Sequence, residues 1–414
     1  MKPIEFVEFD LSNGLHCIVH ENHDTPIVAL NLWYHVGSKN EHPERTGFAH
    51  LFEHLMFQGS RHVGKTEHFS YIQKAGGNLN GTTNEDRTNY FETLPASELK
   101  LGLWLESDRM MSLDVSAENF ENQRQVVKEE RRLRYDNAPY GTVYEHLHKH
   151  AYIKHPYRWT TIGSMEHLDN ATLDDVQNFY KTFYAPNNAT LVIAGDVNPD
   201  KAREAVEKYF GEIPRGASFE RPIDDDLPLV DEIRQTIYDN VQLGGVFMAY
   251  RICNVKSPDA DTLGLISRVL SDGRSSRIYK TLVHEKRLAQ SVNIFSAPAE
   301  HQGLFFVNLI AAQGVSLDTL EKAFDEELHQ LITSGVSEEE LQKVKNANEV
   351  ALLRGFSTVM SVADNLAYFH TFFGNAGEIN QELQKAERVT TDEIRRVAER
   401  YFTSGRVVLH WLPK

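Results

Sequence analysis

Apolar residues between positions 5 and 37 fall largely on alternate sites: Phe6, Val7 and Phe9, then Leu15, Cys17 and Val19, then Val28, Leu30, Leu32 and Tyr34. Alternate side chains of a strand face opposite ways, so this rhythm predicts a hairpin from strands at 5–20 and 27–37. Residues 47–58, 97–111 and 117–135 carry apolar positions three and four apart and predict helices. Leu79 to Thr93 predicts a strand pair or one long strand. Mixed strands and helices without a regular βαβ alternation favour an α+β fold over a doubly wound one.

One pattern occurs twice. Thr172-Leu-Asp-Asp-Val-Gln-Asn-Phe-Tyr leads into the apolar run Ala189-Thr-Leu-Val-Ile-Ala-Gly, and Thr391-Asp-Glu-Ile-Arg-Arg-Val-Ala-Glu-Arg-Tyr-Phe leads into Arg406-Val-Val-Leu-His-Trp-Leu. In both, a threonine precedes acidic first-turn residues, which suit a helix N-terminus, and a buried strand follows. Between the copies lies Pro214 to Leu229, with Gly216, Pro222, Pro228 and the run Asp224-Asp225-Asp226, which is linker chemistry. The pattern predicts two similar α+β halves, 1–213 and 230–414, joined by a linker at 214–229. Each is expected to be a mostly antiparallel sheet with helices packed on one side.

Composition narrows the function. With 43 Lys and Arg against 59 Asp and Glu, the net charge of −16 argues against nucleic acid as the main partner, because phosphate binding needs a basic face. Two cysteines, Cys17 and Cys253, are too few for a disulfide framework or a cysteine zinc site. No apolar run approaches ~20 residues, so no membrane span is expected. The start, MKPIEFVEFDLSNG, lacks an apolar signal core, so a reducing cytoplasm is the expectation, with the periplasm as the alternative where a signal has been removed.

The chemistry concentrates in Gly47-Phe-Ala-His-Leu-Phe-Glu-His-Leu-Met-Phe, which contains His50-x-x-Glu53-His54. On a helix, His50 and His54 share a face one turn apart and can bind one metal ion. Glu53 reaches the same face, where it can act as general base toward a water whose pKa the metal lowers. The plain alternative is a helix with two buried, satisfied histidines. Phe48, Ala49, Leu51, Phe52, Leu55, Met56 and Phe57 make the helix apolar on nearly every side, so its three polar groups are costly without a partner, and a metal is the simplest one. A catalytic zinc needs a third protein ligand. Glu129 and Glu130 are the candidates, on a helix whose apolar seam reads Phe120, Val126, Val127 and Leu133. Glu130 lies on that seam and is the better choice. A rival cluster, His146, His148, His150 and His155, has no well-placed carboxylate and reads as surface or packing.

These residues resemble the pitrilysin, insulysin and mitochondrial processing peptidase family, whose inverted His-x-x-Glu-His order marks the inverzincins. The resemblance extends over nearly the whole chain, through Val126-Val-Lys-Glu-Glu-Arg-Arg, His155-Pro-Tyr and Tyr184-Ala-Pro-Asn-Asn-Ala-Thr-Leu-Val-Ile-Ala-Gly-Asp-Val, and is strongest to short bacterial members. It implies one Zn2+ per chain on His50, His54 and Glu130, with Glu53 as the base in hydrolysis of peptide bonds in oligopeptides or unfolded polypeptides. Gln123 stands where the family often has a second acidic residue. Asn80, Gly81 and Thr82 match the edge strand on which the family lays its peptide substrate, reading main chain more than side chain.

The second half departs from the family. Members that work alone carry an Arg and a Tyr after a Gly-x-x-Ser-Arg-Leu helix start. Following Gly273-Arg-Ser-Ser-Arg-Ile, this chain has Val283 (or His284) and Gln290 at those positions. His50, Glu53 and His54 meet Gly264, Ser267 and Arg268 there. The resemblance therefore implies a zinc subunit whose homologous partner supplies the Arg/Tyr pair as a heterodimer. The competing class is a non-catalytic scaffold or core subunit, which usually has a broken metal motif. Metal sensing or storage would leave Glu53 and the edge strand without a role.

Overall fold

The structure, a computed structural model, describes residues 2–219, 223 and 225–414. It contains two sheets. The first joins β1 (Val7–Asp10), β2 (His16–Glu21), β3 (Ile27–Tyr34), β4 (Asn78–Thr83), β5 (Thr88–Pro95) and β6 (Ala189–Gly195) in the order β1-β2-β6-β3-β5-β4. The second joins β7 (Ile233–Asp239), β8 (Gly245–Arg251), β9 (Ala289–Ala297), β10 (Leu304–Ala311) and β11 (Arg406–Pro413) in the order β7-β11-β8-β10-β9. Without β1, the two orders correspond strand for strand. Each has one parallel pair, β2 with β6 and β7 with β11, and is otherwise antiparallel. The fold is α+β in two similar halves.

β1 and β2 form a hairpin, but β2 and β3 do not pair with each other: β6 lies between them. Local alternation identifies strands and is blind to a partner arriving more than 150 residues later. The strand pair at 79–93 is β4 with β5, in register from Asn78 opposite Thr93 to Thr83 opposite Thr88. Thr172 caps its helix in a box with Asp175. In the second copy the cap is Thr390, boxed with Glu393, one residue before the threonine that the sequence pattern singles out.

The compact units are not the sequence halves. One comprises residues 1–131, 159–223 and 353–380; the other comprises 132–158, 224–352 and 381–414. Each half thus lends a segment to the other unit. The 214–229 linker lies across this division, and Glu220, Arg221, Pro222 and Asp224 within it are outside the described residues.

The exchange shows in the burial of the second sheet. Val246, Met248 and Tyr250 of β8 and Phe305, Val307 and Leu309 of β10 pack with helices Asp259–Ser271, Leu317–Ser334 and Thr391–Phe402. The alternate residues Phe247, Ala249, Leu304 and Phe306 face the other way, onto Val143, Leu147 and Ala151 of the borrowed helix Val143–Ala151. In the first unit, helix Leu99–Ser112 packs on one face of β3 and β5, against Leu30 and Leu94, and the borrowed helix Val359–Phe373 packs on the other, against Asn31 and Trp33. A half's own helices cover one face, and the second face is filled by the exchange. Strands covered on both faces read as continuous apolar runs, as β6 and β8 do.

The first unit also buries charge. Arg109 donates through Nε (3.0 Å) and Nη2 to the Glu106 carboxylate and lies 4.3 Å from the Tyr90 ring centroid. Glu92 is fully enclosed beside them. Burial first, and then the Glu106 charge, hold its carboxyl well above the usual range.

Candidate metal centre

Helix Phe48–Leu55 starts at Gly47, whose φ of 94° is left-handed, and a Cβ there would stand 3.0 Å from the Ile162 carbonyl. Glycine supplies no cap, so Glu41 does: its two carboxylate oxygens accept from the N–H groups of Gly47 (2.9 Å) and Ala49 (2.8 Å). Burial pushes this carboxyl up to about 8, and the backbone donors oppose the rise. Phe48, Ala49, Leu51, Phe52 and Leu55 anchor the helix in the core, while His50, Glu53 and His54 remain half-buried on its remaining face.

The two imidazoles stand edge to face with centroids 4.8 Å apart. His54 Nε2 lies 3.3 Å and His50 Nε2 3.6 Å from the same oxygen, Glu130 Oε2. Two nitrogens and an oxygen bound tetrahedrally to one zinc at ~2.0–2.1 Å stand about 3.3 Å from one another, so the donor types suit the ion and the two nitrogen–oxygen separations are close to that spacing. Four further groups of possible metal donors exist among the described residues: Glu8, His16 and His370; His155, Asp225 and His301; His68, Glu92 and Glu106; and Asp318, Glu321 and His410.

Glu130 arrives on helix Ala117–Arg131. The buried face of that helix is Phe120, Gln123 and Val127, and Glu130 continues it at the next turn. Val126 is 42% and Leu133 70% exposed, so the seam drawn through them is displaced. The helix widens to a π-turn over Arg132–Asp136, which carries Leu133 out of phase. Glu130 keeps its inward position because it follows Val127 by three and Gln123 by seven. Gln123 is buried on that face, with its amide donating to Asn122 Oδ1 (2.9 Å).

Glu53 lies beside the histidines. Its Oε2 accepts from Thr83 Oγ1 at 2.6 Å. Burial raises its pKa, while the Thr83 hydrogen bond and then the His54 charge lower it. Thr83 belongs to β4, the edge of the first sheet. Gly81 on the same strand is buried, and a Cβ there would approach Glu53 Cγ at 3.1 Å and Tyr90 Cδ1 at 3.2 Å. The strand lies directly against the stem of the glutamate. Asn80 is exposed and accepts at Oδ1 from the Gly81 N–H (3.0 Å). Thr82 turns to the opposite face, where its hydroxyl donates to Asn89 Oδ1 (2.5 Å).

Glu41 at the helix start, Thr83 and Arg87 beside Glu53, and Asp364 on the opposite face of the sheet were not singled out from the sequence. Only Thr83 had a signal, as the β4 residue whose parity returns the side chain to the Gly81 face. Of the rival histidines, His146 and His150 both face Gln235 Oε1 (3.3 and 2.9 Å), His148 donates to the Tyr157 carbonyl (2.7 Å), and His155 falls in a candidate donor group with Asp225 and His301. In the second half, Val283 packs against the apolar core and Gln290 is exposed at the start of β9. No helix among the described residues is long and apolar enough to cross a membrane.

Comparisons with known proteins agree with this architecture. Residues 17–164 match the model of the insulinase family, peptidase family M16, and residues 170–348 match the M16 inactive domain. The zinc protease PqqE of Helicobacter pylori is 30% identical over 397 residues, covering 95% of this chain and 89% of that protein. A probable mitochondrial-processing peptidase subunit beta of Arabidopsis thaliana is 24% identical, over 94% of this chain and 75% of its own length. Among solved structures, a protease from Helicobacter pylori superposes with a TM-score of 0.93 at 28% identity, covering 99% of this chain and all of that one.

Proposed function

The chain belongs to the M16 peptidase family, and from that premise we propose that it is a zinc metalloendopeptidase, or the zinc-bearing subunit of one, acting on oligopeptides or unfolded polypeptides. The observation that carries the reading is the convergence of His50 Nε2 and His54 Nε2 on Glu130 Oε2, with Glu53 beside them and against an edge strand. A zinc ion held by His50, His54 and Glu130 would supply Lewis-acid activation of water and of the peptide carbonyl.

The remaining chemistry belongs to the protein. Thr83 occupies Glu53 Oε2, which orients the carboxylate and leaves Oε1 to take the proton of the attacking water. The same carboxyl then returns that proton to the departing amine. A peptide added as a strand alongside β4 would pair with its outer backbone groups, with Asn80, Gly81 and Thr82 nearest the reacting bond. Gln123 is the auxiliary group on the Glu130 helix, without the charge of an acid.

Val283 and Gln290 offer neither a guanidinium nor a phenol toward developing charge, and such groups matter substantially to rate. The reading is therefore completed by a homologous partner subunit that brings Arg and Tyr. The matched second-half family is described as inactive, which also favours the scaffold alternative enough to test it.

The experiment is hydrolysis of a quenched-fluorescent peptide by the zinc-loaded chain alone, by the chain with a homologous partner, and by the mixture carrying Glu53→Gln. Turnover in the mixture only, lost with Glu53→Gln, supports a zinc subunit completed in trans. Turnover by the chain alone removes the need for a partner. Zinc binding with no turnover in any arm favours the scaffold.

A further inference from the structure

An unbroken run of side-chain hydrogen bonds joins a helix from the far end of the chain to the strand beside Glu53. Asp364, on helix Val359–Phe373, accepts at Oδ1 from Asn31 Nδ2 (3.0 Å), Trp33 Nε1 (3.0 Å) and Asn89 Nδ2 (3.4 Å). Asn89 also donates to Asn31 Oδ1 (2.9 Å) and accepts from Thr82 Oγ1 (2.5 Å). Arg87 Nη1 donates to the Thr82 carbonyl (2.9 Å) and hydroxyl (2.5 Å), with its guanidinium 5.2 Å from the Trp33 centroid. Donor and acceptor senses agree throughout. Each amide oxygen accepts, each amide nitrogen donates, and the run ends on a carboxylate, the strongest acceptor available.

The arrangement answers a mechanical need. β4 is an edge strand, held by β5 alone, and edge strands are the first part of a sheet to open. A strand that lines up a peptide against a base must not slip, since a one-residue shift exchanges its two faces. Thr82 and Thr83 point to opposite faces, so Thr83 ties one side of β4 to Glu53 while Thr82 ties the other to Asn89 and Asp364. Arg87 feels both ends: burial lowers its pKa, and the charges that oppose this most are Asp364 and then Glu53.

We propose that Asp364 is a positioning residue: through Asn89 and Thr82 it fixes the register of β4 and so the placement of Glu53 and of a peptide lying along that strand. The consequence for turnover rests on the peptidase reading; the consequence for β4 does not.

The test is a double-mutant cycle between positions that do not touch, Asp364→Ala and Thr82→Val, read by backbone amide exchange of the zinc-loaded chain and by kcat/KM of the active preparation. Each single variant is expected to speed exchange across residues 78–83 by about 10-fold while β2, β3 and β6 exchange as in wild type, and the double variant to be no faster than either. The same non-additive loss, about 10-fold, is expected in kcat/KM, chiefly through KM. Asp364→Asn, which keeps an acceptor oxygen, should restore part of both. Unchanged exchange at 78–83, or single effects that multiply in the double variant, overturns the proposal. If Asp364→Ala loosens the whole unit, Asp364→Asn takes its place in the cycle under the same criterion. A wild type that hydrolyses no peptide sinks the peptidase reading, and the exchange cycle still decides the role of Asp364.

Discussion

The same fold position is occupied in two ways. In the first half, helix Phe48–Leu55 presents His50, Glu53 and His54; in the second, the aligned residues on helix Asp259–Ser271 are Gly264, Ser267 and Arg268. The second set satisfies itself locally: Ser267 Oγ donates to the Gly264 carbonyl one turn back (2.8 Å), and Arg268 pairs with Asp272 at i+4 (2.6 Å). The first set turns outward from its helix, and its two ring nitrogens meet a carboxylate brought by a different helix. The interiors differ likewise. Under the first sheet lie Glu92, Glu106 and Arg109, whereas Phe305, Val307 and Leu309 of β10 lie in an apolar cluster. Polar groups that close on themselves make a stable helix, and those that converge across elements make a site.

The comparison breaks most sharply at the ligands. His54→Ala should remove both metal and turnover, seen as a fall from one zinc per chain to near none by elemental analysis after dialysis, while Arg268→Ala leaves the metal content unchanged. Next comes Glu53→Gln, which should lower kcat by about 10^3-fold at full zinc occupancy, because proton transfer is lost and the ligands are kept.

Glu92 sharpens the contrast of interiors. Its folded pKa is raised above its unfolded value, so the stability it allows is complete below the unfolded value of about 4.3 and is lost as pH rises toward the folded one. Glu92→Gln, which cannot ionise, should therefore flatten the fall of the thermal midpoint from pH 5 to pH 9 and match wild type near pH 4, by calorimetry across that range. The smallest effect belongs to the self-satisfied helix. Arg268→Ala should cost no more than ~0.5 kcal/mol in denaturant unfolding, as expected of a partly exposed i,i+4 pair.

Much of this was legible in the residues. Capped helices at Thr172 and near Thr391, the strand pair at 79–93 and the repeat that builds two alike sheets all follow from local periodicity and local chemistry. The His50 and His54 spacing is likewise a property of one helix turn. Glu130 is the carboxylate that meets both rings, although the seam used to select it is displaced: Val126 and Val127 are adjacent apolar residues, and only burial decides which of them faces inward. Insertion of β6 between β2 and β3 and the pairing of Asp364 with Asn31, Trp33 and Asn89 left no local trace. They depend on residues more than 150 positions apart, and no periodicity reports such a meeting.

The trade of segments between the halves has a consequence for how the chain comes into being. On a ribosome, the first sheet is made by residue 195, yet the helix that covers its second face, Val359–Phe373, emerges more than 160 residues later. The second unit likewise waits for nothing from ahead but takes its cover, Val143–Ala151, from chain made long before. Val143, Leu147, Tyr152 and Tyr157 of that borrowed segment are buried, at about 1.5–3 kcal/mol for each large side chain, a sum comparable with a whole domain's net stability of ~5–15 kcal/mol. A nascent first half therefore holds an open apolar face until synthesis is nearly over. Cutting the gene at the linker should yield two insoluble products that become soluble only when made together.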